Sequence, residues 1–188
     1  MRIQELTVGP IGTCCYLLSP EEGDACLIID PGDEARRIRE AAGTRRIAAI
    51  LLTHGHFDHI GAVRDLMVPG TELLIHPLDR PMLSDGALNA GQSLLGRSVT
   101  APEPTHLVRE GEELTLAGLK VRVLHTPGHT PGGVCYDIEG CLFTGDTLFH
   151  HGWGRTDLPG GDEHALFASL RRLLPLSQTH PIYPGHDA

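Results

Sequence analysis

Within His54-Gly55-His56-Phe57-Asp58-His59 stand three imidazoles and a carboxylate, the nitrogen and oxygen donors that zinc and similar divalent metals accept. In an extended segment, alternation places His54 and His56 on one side. A turn after them lets Asp58 and His59 reach a neighbouring position, so the cluster suits two adjacent metals. Further candidate donors are His129 in His125-Thr126-Pro127-Gly128-His129-Thr130-Pro131-Gly132, Asp146 in Phe143-Thr144-Gly145-Asp146-Thr147, and His186 in Tyr183-Pro184-Gly185-His186. Each follows a glycine, which permits close backbone approach and unusual dihedrals where one side chain must be aimed at a point. Taken singly, each of the three is ordinary turn chemistry.

The elements that must position these residues can be read from periodicity. Ile3 to Val8, Cys14 to Leu18 and Ala25 to Ile29 read as short strands, the last closing on the turn Asp30-Pro31-Gly32. A helix follows, with Asp33 as its cap, Ala35, Ile38 and Ala42 as its apolar stripe and Gly43 as its stop. Ile47 to Leu52 is a continuous apolar run of strand length that ends on Thr53-His54, which places the histidines at a strand's C-terminal end. Ile60, Val63, Leu66 and Met67 recur at helical spacing, and Glu72 to Ile75 is the next strand. Residues 77 to 107 yield only a short helix over Leu78 to Leu83 and are expected to flank the site mouth. Two hairpins follow: Glu113 to Leu116 with Lys120 to Leu124, turning at Ala117-Gly118, and Gly133 to Asp137 with Cys141 to Thr144, turning at Glu139-Gly140. A last helix runs from Glu163 to Leu174, with Asp162 as cap and Pro175 as stop.

The chain has 188 residues, 40% of them hydrophobic, which fits one domain over 1–188. Its apolar runs are far shorter than the ~20 residues that span a bilayer. The N-terminus lacks a signal-peptide pattern, so the expected location is cytoplasmic. A formal charge of -9 argues against nucleic acid as a partner, since phosphate neutralisation needs clustered Lys and Arg; the group Arg36, Arg37, Arg39, Arg45 and Arg46 reads as a solvated helix face and its flank. The five cysteines show no C-x-x-C spacing and read as buried free thiols.

The ordered set T-H-x-H-x-D-H, H-T-P-G-H-T-P-G, F-T-G-D-T-L-F and P-G-H, running from about Ile3 to His186, resembles the metallo-β-lactamase superfamily. Within it, the chain is similar to the glyoxalase II-like hydrolases. Gly154-Arg155-Thr156-Asp157-Leu158-Pro159-Gly160-Gly161-Asp162 further resembles the short bacterial members of that branch. The resemblance implies an α+β fold, a four-layer αβ/βα sandwich with the metals at one edge between two sheets. It implies that His54, His56 and His129 hold one metal, that Asp58, His59 and His186 hold the other, and that Asp146 bridges them. Asp58 and Asp146 are then the candidate catalytic carboxylates, and Arg155 the candidate contact for a substrate carboxylate. His76, His106, His125, His150, His151, His164 and His180 match no ligand position, although His125 is near enough to stand behind one. Asp30 reads either as a ligand-orienting residue or as a structural turn. The chain ends two residues beyond His186, so that donor is expected near a frayed terminus.

The implied activity is hydrolysis of a thioester such as S-lactoylglutathione, with one or two zinc ions as cofactor and iron or manganese as substitutes. Two metals about 3.5 to 4 Å apart lower the pKa of a shared water and supply hydroxide near neutral pH. No G-x-S-x-G elbow is present, and Cys14 and Cys15 fall in a strand, so no side-chain nucleophile competes. The C-terminal helical domain that binds glutathione in full-length members is not part of this chain. A persulfide dioxygenase of the same superfamily is the rival enzyme, using one iron on His54, His129 and Asp146. A metal-binding scaffold without turnover is the rival from another class. β-Lactam hydrolysis is disfavoured, because lactamases usually place a cysteine where Asp146 stands.

Overall fold

Asp30 marks the point where the first sheet changes from hairpin pairing to crossovers. The computed structural model describes residues 1–187. Strands β1 (Arg2–Val8), β2 (Thr13–Ser19) and β3 (Ala25–Ile29) are antiparallel neighbours. After them β4 (Arg46–Leu51), β5 (Glu72–Ile75) and β6 (His106–Leu107) join in parallel, giving the order β1-β2-β3-β4-β5-β6. The crossovers carry α1 (Ala35–Ala42), then α2 (Phe57–Ile60) and α3 (Val63–Leu66), then a 3-10 turn at Arg80–Leu83 and α4 (Gly91–Leu95).

The second half begins with the two expected hairpins, β7 (Glu113–Leu116) with β8 (Leu119–His125) and β9 (Val134–Ile138) with β10 (Cys141–Gly145). Ala117-Gly118 has φ values of 48° and 77°, and Glu139-Gly140 has 51° and 82°, the left-handed pair that a two-residue type I′ turn requires. A small hairpin, β11 (Leu148–Phe149) with β12 (Gly152–Trp153), stands apart from the sheet. Helix α5 (Glu163–Ser177) then leads to β13 (Ile182–Pro184), which pairs in parallel with β10 and completes the order β13-β10-β9-β8-β7.

Three apolar layers hold the elements together. Ile38, Ile60, Val63 and Leu66 of the first helices pack on Ile28, Ile50 and Leu73 of the first sheet. Leu18, Leu27, Ile29, Leu51 and Leu74 meet Val121, Val123, Tyr136 and Phe143 between the sheets. Leu166, Leu170 and Leu173 of α5 cover Leu124, Cys135 and Leu142. Helix, sheet, sheet, helix is the expected four-layer α+β sandwich. Each fully buried Leu or Ile contributes about 1.5–3 kcal/mol, so the layers rather than helix propensity fix the short helices.

Several local readings need correction. Asp33 does not cap α1: Glu34 takes a left-handed φ of 56° and donates its N–H to Asp33 Oδ1, while the Glu34 carboxylate accepts from Gly9 N–H. The helix expected over Ile60 to Met67 is split because the Ala62 N–H is taken by Pro31 O; Gly61 stays helical and allows the close approach of Gly32 O, which a Cβ there would meet at 2.2 Å. The short helix expected over Leu78 to Leu83 is a single 3-10 turn at Arg80–Leu83, and α4 was not foreseen. Pro175 does not stop α5; the helix runs one turn further, to Ser177, where the chain tightens into i→i+3 bonds such as Thr179 N–H to Leu176 O. Asp162 does cap it, accepting from Ala165 N–H at 3.0 Å.

Candidate metal centre

The donor residues follow the C-terminal ends of β4, β8, β10 and β13, which all open on one edge of the sandwich. Hydrogen bonds between the halves fix this edge: Val134 N–H donates to Thr53 O at 2.8 Å and the Tyr136 hydroxyl to Leu52 O at 2.8 Å. Glycines allow the close approach foreseen for them. Gly128, at φ +145°, lies where a Cβ would sit 2.3 Å from Leu166 Cα, and a Cβ on Gly185 would sit 2.2 Å from Asp146 Oδ1. His186 is not frayed, since Cys14 N–H donates to Gly185 O, Gly185 N–H donates to Gly145 O, and His186 itself bridges to Thr13.

All seven proposed donors converge. His54, His56 and His129 form one group and Asp58, His59 and His186 another, each with its donor atoms within 4.8 Å of one another. In the first, His56 Nδ1 lies 2.9 Å from His129 Nε2, and Asp146 Oδ2 lies 3.3 Å from His129 Nε2 and 3.9 Å from His54 Nε2. In the second, Asp58 Oδ2 is 3.2 Å from His59 Nε2 and 3.0 Å from His186 Nε2, while Asp146 Oδ1 is 3.3 Å from His59 Nε2. A tetrahedral ion with ligands at 2.0–2.1 Å has donor–donor edges of about 3.3 Å, so these spacings fit ions of that size. His54 Nε2, His59 Nε2 and Asp146 Oδ1 are buried without a hydrogen-bond partner and face these groups, and His56 Nε2 is likewise unpartnered. Such atoms are costly unless something pairs with them, and a metal does so.

The ring tautomers follow from the supporting bonds. The Thr53 hydroxyl donates to Asp30 Oδ2 at 2.6 Å, so it accepts from His54 Nδ1 at 3.0 Å and leaves Nε2 as the lone-pair nitrogen. His59 Nδ1 donates to Asp30 Oδ2 at 2.9 Å and His129 Nδ1 to Arg155 O at 2.6 Å, with the same result. The Thr13 hydroxyl donates to Asp58 Oδ2 at 2.9 Å. Asp30 is therefore more than a turn: in a left-handed conformation with φ 50°, it puts its carboxylate under Thr53 and His59.

The two groups differ electrostatically. Burial, reinforced by His59, pushes the His54 pKa well below the histidine range, and burial with His129 pushes His56 to about 3. These rings are neutral, as ligands must be. Burial also opposes charge on His59, but Asp58, Asp146 and Asp30 outweigh it and hold that ring's pKa well above the usual value. His186 is raised to about 9 against burial by Asp146 and Asp58. Burial disfavours the charged forms of Asp58 and Asp146, yet His59 and its neighbours keep both well below the usual carboxylate range.

Of the other sequence candidates, Arg155 lines the cleft, but its guanidinium is paired with Asp157 at 2.5 and 2.7 Å. His125 stacks on His76 with ring centroids 4.1 Å apart and bonds Pro131 O, so it supports the His129 loop without touching a donor. His106 pairs with Glu112 and His180 lies 4.0 Å from Asp137. The cysteines are free, four of them buried and Cys141 half-buried. Asp79 was missed. Wholly buried, it accepts from Gly55 N–H, Gly132 N–H and the Thr130 hydroxyl, joining both metal loops; a lone Asp before Arg80-Pro81 carries no signal beyond a turn.

Above the donors opens a cleft of about 390 Å³ whose walls include Ile11, Leu94, Phe149, Trp153, Arg155 and Leu158. Residues 77 to 107 flank its mouth, as expected, through Ala90 and Leu94. The family described as the metallo-beta-lactamase superfamily matches residues 8–186. The chain belongs to this superfamily. Within it, the chain is 37% identical over 195 residues to the hydroxyacylglutathione hydrolase GloC of Haemophilus influenzae, covering 100% of this chain and 92% of that protein. The crystal structure of the B3 metallo-beta-lactamase BLEG-1 superposes with a TM-score of 0.92 at 38% identity, covering 98% of this chain and 91% of that one. TTHA1623, in a di-iron-bound form, gives 0.85 at 41% identity, with 97% and 91% covered. Superfamily membership thus assigns the αβ/βα sandwich and a metal-dependent hydrolase scaffold, and the donor groups at its edge are of the kind that binds metal ions. Among the described residues, no helix is long and apolar enough to cross a membrane.

Proposed function

We propose that the chain is a zinc-dependent thioester hydrolase of the glyoxalase II type. The supporting observation is Asp146, whose single carboxylate faces both donor groups, Oδ1 at 3.3 Å from His59 and Oδ2 at 3.3 Å from His129. Zinc ions held by His54, His56 and His129, by Asp58, His59 and His186, and jointly by Asp146 would activate water and polarise a thioester carbonyl. Asp58 and Asp146 are the proposed catalytic carboxylates. The chain's own part is positional: Asp30, Thr53 and Arg155 O fix the ring nitrogens, and Thr13 fixes Asp58. In the overall reaction water adds to the carbonyl carbon, the C–S bond breaks, and the thiol leaves with a proton. No thiol of this chain competes as nucleophile, since burial raises all five, Cys14 and Cys135 to about 12.

The partner on this reading is a small-molecule thioester, with S-lactoylglutathione the first substrate to test given the likeness to GloC, and the expected location is cytoplasmic. Arg155 would meet a substrate carboxylate by exchanging its bond to Asp157. The di-iron form of TTHA1623 makes iron the rival metal, and one iron at His54, His129 and Asp146 would suit the dioxygenase reading. Completeness of the second donor group favours the hydrolase. The deciding experiment gives metal-defined protein S-lactoylglutathione, glutathione persulfide and a cephalosporin. Zinc-dependent release of thiol supports the proposal; oxygen uptake with persulfide, preferred β-lactam cleavage, or no turnover in any metal form replaces it with dioxygenase, lactamase or scaffold.

A further inference from the structure

Beside the metal cleft runs a second groove of about 440 Å³, with walls that include Phe149, Trp153, Phe167, Leu170, Arg171 and Leu174. Phe149 and Trp153 line both cavities, so the β11–β12 hairpin is a shared wall. Trp153 packs edge-on against Phe167 at 5.8 Å yet stays 54% exposed, and Leu174 stays 50% exposed. Across the cleft, Ile11 and Leu94 are each 50% exposed. Two largely apolar cavities that meet at one exposed hairpin, one of them over the metal donors, are the kind of surface that binds an apolar ligand.

The charges say what it binds. Besides its histidine donors, the cleft's lining holds one cation, Arg155, already engaged by Asp157, and the groove's lining adds Arg171. A thiol bearing several carboxylates finds few free cations along the part of this path that lies away from the metal donors. We infer that the thioester this chain hydrolyses carries an apolar chain that leaves the metal cleft past Trp153 and lies in the groove against Phe167 and Leu174. The inference rests on the hydrolase reading and narrows its substrate class.

Two substrate series test it on the zinc-loaded protein: acetyl, butanoyl, hexanoyl and octanoyl thioesters of one small thiol, and acetyl thioesters of alkanethiols of matching lengths. Each buried methylene is worth about fourfold in kcat/KM, so one series should climb steeply, identifying which arm enters the groove, and its longer members should surpass S-lactoylglutathione. In Leu174→Asp the ratio of octyl-arm to acetyl kcat/KM should fall at least about tenfold. Flat dependence in both series, or an unchanged ratio in Leu174→Asp, overturns the inference.

Trp153 is the chain's sole tryptophan, which gives a readout independent of turnover. Titration with S-octyl-N-acetylcysteamine, a thioether that cannot be hydrolysed, should shift its emission to the blue saturably, and Leu174→Asp should weaken this at least about tenfold. If no thioester turns over but the titration saturates, the hydrolase reading fails and the groove stands as an apolar-ligand site. No saturable shift overturns the groove, as does a dimer whose Trp153 emission is already blue-shifted without ligand, because a second copy then fills it.

Discussion

The Thr130 hydroxyl donates to Asp79 Oδ2 at 2.7 Å, joining residues 51 apart in the chain. The same carboxylate accepts from Gly55 N–H at 3.1 Å and Gly132 N–H at 2.6 Å, so the loop of His54 and the loop of His129 share one buried acceptor. Asp79→Ala strands three buried donors, each worth about 1–3 kcal/mol, and should lower unfolding stability by at least about 3 kcal/mol. Asp79→Asn keeps one carbonyl acceptor and should cost less. Denaturant unfolding of metal-free protein checks the order wild type, Asn, Ala; equal stabilities would remove Asp79 from this role.

Asp30 orients His59 and, through Thr53, His54. Its replacement by Ala leaves every metal donor in place while freeing the ring tautomers. Metal affinity should drop about 10- to 100-fold, measured by competition with a chromophoric chelator. An unchanged affinity means the rings are held by packing alone.

Gly128 precedes His129 at φ +145° with Leu166 of α5 directly against it. An alanine there is strained in the backbone and collides with a helix, so His129 must move. Gly128→Ala should lose stability by at least about 1–3 kcal/mol and bind less metal, whereas Gly43→Ala, where a Cβ meets open space at φ +64°, should lose stability without loss of metal. Elemental analysis of the two variants separates the cases.

His76 gives a pH dependence away from the metal site. Burial, followed by His125 and Arg109, pushes its pKa from 6.5 to about 4. The folded value lies below the unfolded one, so the neutral ring's contribution to stability is complete above about pH 6.5 and is lost as pH falls towards 4. His76→Gln should therefore flatten the decline of stability between those values relative to wild type. A parallel decline in the two proteins would contradict the assignment.

Much of this was legible beforehand because strands announce themselves. Ala25–Ile29 and Glu72–Ile75 match the apolar runs residue for residue, and the Ala117-Gly118 and Glu139-Gly140 turns need the left-handed φ that their glycines allow. Four candidate donors were legible because they crowd into His54-Gly55-His56-Phe57-Asp58-His59, while His129, Asp146 and His186, each behind a glycine, joined them only through the family resemblance. What stayed hidden depends on distant contacts. A well-patterned helix is interrupted at Gly61-Ala62 because Pro31 O takes the Ala62 N–H, and α5 continues past Pro175 for one further turn. Asp79 falls within the expected short helix and Thr13 just before an expected strand, and nothing marks either until folding brings Thr130 and Asp58 beside them. The anchoring of His186 was hidden in the same way, since Thr13 and Gly145 are far from it in sequence.

Asp146 links the two donor groups, so its loss should affect both. Asp146→Ala and His54→Ala should each reduce thioester hydrolysis by more than about a hundredfold while the fold, followed by circular dichroism, is retained. Near-normal turnover in purified Asp146→Ala would remove the bridging role.

The most direct measurement is the rate of thioester hydrolysis as zinc is returned stepwise to chelator-treated protein. Two donor groups sharing Asp146 predict a rate that climbs to a break at two equivalents of zinc per chain and stays there. A break at one equivalent, or no hydrolysis at any loading of zinc, would contradict the two-metal account.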